Sequence, residues 1–68
     1  MFGMVKNVTS KGYGFIRPKE GGADLFFHAK GLIRGLGIDD MKPGDEVYYD
    51  VEPSEKGERA VNVGKLNP

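Results

Sequence analysis

A chain of 68 residues, 38% of them hydrophobic, makes one small domain with a thin core; at this length only about 60% of the unfolded chain's surface is buried on folding, so marginal stability is expected. Ten bases balance ten acids and there is no cysteine, which excludes a disulfide framework and a thiolate metal site. No apolar run approaches the ~20 residues of a membrane span and no signal-peptide pattern opens the chain, so a cytoplasmic protein with no membrane partner is expected.

Met1 and Phe2 form a lead-in, with Phe2 either packed on the body of the domain or frayed. Residues 3–9 read as a first strand with Val5 inward and Lys6 outward. A turn over residues 9–12 leads to a second strand, residues 13–17, and Pro18, Gly21 and Gly22 mark the next turn. Residues 23–28 make the third strand. Residues 29–45 form a long connection whose glycines argue against a long helix; Leu32, Ile33, Leu36 and Ile38 call for a short helical turn capping one end. Residues 46–51 alternate as a fourth strand with Val47, Tyr49 and Val51 inward. Residues 53–58 read as a loop, and residues 59–66 as a closing strand with Val61 and Val63 inward. Five short strands joined by Gly- and Pro-rich turns predict an all-β, closed or nearly closed barrel, because closure removes exposed edges. There is no linker or internal repeat, so residues 1–68 are taken as a single domain.

Side chains alternate along a strand. Tyr13, Phe15 and Arg17 therefore share one face of the second strand, and Phe26 and His28 share one face of the third. Ile16, Leu25 and Phe27 fill the opposite, inner face, which leaves three rings and an imidazole facing out. An exposed aromatic cluster edged by Lys and Arg suits stacking on unpaired bases. The glycines between the rings also fit plain barrel packing with a tight bend. Net charge hides a segregation: residues 1–38 hold six bases against two acids, +4, and residues 39–68 hold four against eight, −4. The aromatic segments lie in the basic half, where phosphates are attracted.

Catalytic chemistry finds little support. The single histidine has no partner spacing for a metal site, and no hydroxyl stands on an adjacent motif as a nucleophile. Gly12-Tyr13-Gly14 lacks the Lys-Ser/Thr ending of a phosphate-binding loop. The chain is read as a non-enzyme with no cofactor, no metal and no small-molecule substrate.

Lys11-Gly12-Tyr13-Gly14-Phe15-Ile16 followed by Asp24-Leu25-Phe26-Phe27-His28 resembles the bacterial cold-shock proteins. Gly3-Met4-Val5-Lys6, Gly21-Gly22, Pro43-Gly44, Asp50-Val51-Glu52 and Ala60-Val61-Asn62-Val63 extend the resemblance over nearly the whole chain. It implies a small five-stranded antiparallel OB-type barrel that binds single-stranded RNA or DNA, pyrimidine-rich strands favoured, as an RNA chaperone or cold-shock-type regulator. Tyr13, Phe15 and Phe26 are then the stacking rings and His28 a smaller ring with a donor or acceptor. Lys6, Lys11 and Arg17 are rim cations; Lys56, where the family commonly carries a base, and Arg59 are peripheral contacts. A monomer is expected rather than a dimer. The chain reaches Lys11 one residue sooner than the family pattern, its long loop is about one residue longer, and three of the family's rings are missing. Asn7 stands where a tryptophan is usual, Ala29 where an aromatic follows the histidine, and Leu36 or Ile38 where the long loop carries another ring. The rival reading is an OB-fold protein-interaction module of the translation-factor kind, anchored by the same exposed rings.

Overall fold

A computed structural model describes residues 1–55 and 57–66. Five strands, β1 (Phe2–Val8), β2 (Tyr13–Pro18), β3 (Leu25–His28), β4 (Glu46–Ser54) and β5 (Gly57–Lys65), close into a barrel in the order β1-β2-β3-β5-β4. The expected all-β OB-type barrel is what forms. Its neighbours run antiparallel except β3 and β5, whose parallel pairing closes the wall. No α-helix occurs among the described residues, nor is any helix there long and apolar enough to cross a membrane.

The interior is filled by Val5, Ile16, Phe27, Met41, Val47, Tyr49, Ala60 and Val63, with Val8, Leu25, Leu32, Leu36, Ile38 and Val51 packed against them. Phe27 is the largest side chain buried completely. Gly14 pairs with it across β2 and β3. A Cβ on Gly14 would run into the carbonyl oxygen of Asn7 and lie 2.8 Å from the Phe27 ring, so the glycine is what lets β1, β2 and that ring approach so closely. Burial raises the pKa of the Tyr49 hydroxyl, aided by the charge of Glu20.

The strands differ from the sequence expectation at their ends. β3 starts at Leu25 rather than at residue 23, because Gly21 and Gly22 both take positive φ and swing the chain wide before Leu25 enters register with Ile16. β4 and β5 extend into the stretch read as a loop: Pro53 pairs with Glu58 and Ser54 with Gly57. Proline is accepted there because β1 accompanies β4 only along Glu46–Tyr48, leaving Pro53 with one neighbouring strand and no second ladder to supply. Lys56 lies outside the described residues. Phe2 does not fray; it pairs with Tyr48 and exposes its ring.

Two register shifts matter more. In β5, Tyr48 opposes Gly64 while Asp50 opposes Val61, and Asn62 has φ 53°. Asparagine is among the residues that tolerate this left-handed conformation. The extra residue puts Ala60 and Val63 inside and leaves Val61 half-buried, which corrects the expectation that Val61 and Val63 both face inward. In β1, Val5 opposes Ile16 but Asn7 opposes Phe15, so Lys6 is the bulged residue. Val8 then returns to the interior, and Asn7 moves to the outer face.

The long connection holds two single 3-10 turns, Ala29–Gly31 and Ile38–Asp40, in place of one helical turn. Ile33 N–H donates to the Val63 carbonyl at 2.9 Å, which lays the apolar stretch over the barrel end. Asp45 closes the connection: it accepts from Lys42 N–H at 2.8 Å and lies 3.3 Å from Lys65 Nζ. The hydrogen bond from Lys42, with Lys65 adding to it, holds its carboxyl below the ordinary aspartate range.

Candidate nucleic-acid interface

β2 and β3 present the expected ring cluster on the barrel's outer surface. Their register sets Phe15 opposite Phe26 and Tyr13 opposite His28, so all four side chains share the face away from Ile16 and Phe27. The centroids of Tyr13 and Phe26 are 5.4 Å apart with planes at 37°; Phe15 stands nearly edge-on to Tyr13 at 6.3 Å and to Phe26 at 6.0 Å. Such contacts are worth about 0.5–1.5 kcal/mol per pair beyond burial, which holds the rings in place before any ligand arrives. Because the planes are not parallel, consecutive stacked bases would be turned relative to one another.

His28 caps the first 3-10 turn: its Nδ1 accepts from Lys30 N–H at 3.1 Å. In the neutral ring the proton therefore sits on Nε2, which is a donor. The tight Thr9–Gly12 turn, in which Lys11 N–H donates to Thr9 Oγ1 at 3.3 Å, sets Lys11 next to Tyr13. Lys11 has no ionic partner among the described residues.

Lys6 and Arg17 converge from β1 and β2 on Asp24. Lys6 Nζ is 2.7 Å and Arg17 Nε 4.0 Å from its carboxylate. Both cations are largely exposed, so these pairs are worth about 1 kcal/mol or less and can be exchanged for phosphate contacts. Arg59 lies beside Phe26 in the parallel ladder and is tied to Glu52. Lys56 lies outside the described residues.

Two residues at this surface, Asp24 and Glu52, escape a reading for rings and cations, and a third, Asn7, is marked only by the resemblance. Asn7 borders Phe15 only because of the bulge at Lys6, and the apolar Val8 behind it, needing the interior, is the available signal of that bulge. Asp24 is legible as the acid before Leu25, but its grip on two rim cations depends on the fold. Glu52 reaches Arg59 through the β4–β5 ladder.

A closed five-stranded OB-type barrel with aromatics of β2 and β3 outward defines the class. Residues 1–66 match the family model described as the 'Cold-shock' DNA-binding domain. The chain is 41% identical over 58 residues to the major cold shock protein of Micrococcus luteus, covering 85% of each chain. It is 40% identical over 57 residues to the cold shock-like protein CspC of Buchnera aphidicola (84% of this chain, 81% of the relative). It is 41% identical over 54 residues to the cold shock-like protein CspC of Escherichia coli K12 (79% and 77%). The chain belongs to the cold-shock domain family.

Proposed function

We propose that this protein binds single-stranded RNA or DNA with little sequence preference, pyrimidine-rich strands favoured, and acts as an RNA chaperone or cold-shock-type regulator without catalysis. It does so as a single-domain monomer in the cytoplasm. The observation that carries this reading is the interlocked trio Tyr13, Phe15 and Phe26 on the outside of a barrel whose interior is already filled by Ile16 and Phe27. Bases stack on the rings, with His28 beside them. Lys11, and Lys6 and Arg17 once released from Asp24, neutralise phosphates at the rim; Arg59 and Lys56 border the strand. Membership of a family described as DNA-binding supports the same reading.

A fluorescent oligopyrimidine titrated at several salt concentrations tests it. The logarithm of affinity should fall with the logarithm of salt by about 0.7 per phosphate neutralised, and Lys11→Ala should make that slope shallower. Asp24→Asn frees Lys6 and Arg17, so it should tighten binding by a few fold and steepen the slope. Salt-independent affinity for the oligonucleotide would sink the assignment.

Asn7 carries a second expectation. It opposes Phe15 on the outer face, so an indole there would extend the platform by one base. Asn7→Trp should tighten binding to a short pyrimidine strand by about 1 kcal/mol or more, the low end of one stacked base, with its fluorescence quenched as the strand binds. A variant that melts like the wild type yet shows neither effect would mean that no base lies over Asn7.

A further inference from the structure

Past Phe26 the outer surface falls into a cleft of about 440 Å³ lined by His28, Lys30, Glu52, Arg59, Val61 and Asn62, among others. It begins where the ring platform ends, since Arg59 is the ladder partner of Phe26. Two donors in it are held by partners within the protein. Glu52 Oε1 accepts from Nη2 of Arg59 and, at 2.8 Å, from Nε. That occupies the side edge of the guanidinium. Its end edge, one N–H from each Nη, has no partner among the described residues. His28 is fixed in turn by Lys30 N–H, with Nε2–H as its remaining donor.

We propose that this cleft reads a guanine, whose O6 and N7 accept from the end edge of Arg59 while neighbouring bases stack on Tyr13, Phe15 and Phe26. The assignment rests on the single-strand reading above and adds a specificity site to it. At Arg59 itself, charge favours a base over a phosphate. Paired with Glu52, Arg59 is part of a net-neutral unit, so its pull on a distant anion is largely cancelled while its directional N–H groups remain. Among base edges, guanine offers O6 and N7 as adjacent acceptors, the arrangement a guanidinium fork matches, whereas adenine sets a donor, N6, next to N7. Cytosine also has two neighbouring acceptors, O2 and N3, and is the control. Glu52 acts as a positioning residue that holds the fork; Arg59 makes the contact.

The test uses short oligouridines carrying one guanosine, adenosine, cytidine or 7-deazaguanosine at each position in turn. They are titrated against the wild type, Arg59→Lys and Arg59→Gln at a single salt concentration. At one position guanosine should bind the wild type about fivefold or more tighter than adenosine or cytidine, the low end of one bidentate contact. 7-Deazaguanosine, lacking N7, should lose that gain. Both variants should lose it, read as the ratio of affinities for the guanosine- and adenosine-bearing strands within each protein, because neither lysine nor glutamine can form the guanidinium fork. A guanosine effect absent at every position, or one that survives in Arg59→Lys, would overturn the assignment. Plain oligouridine separates the two levels: if the wild type binds it with no guanosine effect, only the cleft assignment falls, and if it binds no oligonucleotide at all, the single-strand reading falls with it.

Discussion

Phe27→Ala is expected to lower stability by about 3–5 kcal/mol, the cost of truncating a buried aromatic and leaving a cavity behind. The whole domain has only about 5–15 kcal/mol to lose, so this variant should be largely unfolded well below the melting temperature of the wild type. The ring is completely buried among the core side chains, and it lies so close beneath Gly14 that little can collapse into its place. A thermal or urea melt measures the loss. Phe15→Ala, on the opposite face of the β2–β3 pair, should shift that melt far less. If Phe27→Ala melted like the wild type while Phe15→Ala unfolded the protein, the inner and outer faces of β2 and β3 would be the reverse of those described.

Phe15→Ala and Phe26→Ala should each weaken binding of a single strand by about 1–3 kcal/mol, the contribution of one stacked base. The two rings touch each other, with centroids 6.0 Å apart, so the double variant should not simply sum the single losses. Each truncation also removes a neighbour that keeps Tyr13 in place, since all three pairs in the cluster are in contact. Titration of one fluorescent oligopyrimidine against the folded variants gives the numbers. Unchanged affinity in both would remove the ring platform from the site and leave the cations without a reason to be there.

Much of the platform is legible in the chain itself. Alternation along residues 13–17 and 25–28 assigns Tyr13, Phe15, Phe26 and His28 to one face and Ile16, Leu25 and Phe27 to the other, and the β2–β3 register agrees. What alternation does not supply is the partner of each charge. Lys6 and Arg17 read as cations free to meet phosphate, yet both face Asp24; Arg59 reads as a peripheral contact, yet Glu52 holds it. Opposite charges seven or eighteen residues apart carry no mark of their pairing in the chain, because the pairing depends on which strands become neighbours.

Local chemistry along the chain settles the identities of the strands and the sorting of side chains between their faces, because a strand's period of two is a property of the local backbone. It also settles the turns at Pro18 and Gly22, where proline and glycine dictate their own angles. Where that period breaks depends on the assembled barrel. Lys6 bulges because Val5 and Val8 must both reach an interior shared with β2, and this delivers Asn7 to the side of Phe15. Asn62 adopts positive φ because β5 must serve two partners at once, β4 along an antiparallel ladder and β3 along a parallel one, and this sends Ala60 and Val63 inward in place of Val61. Both breaks arise from closing a wall of five strands around a small core, a condition that acts on residues distant in sequence, so the local pattern, with Val8 out of phase as its one hint, does not place them.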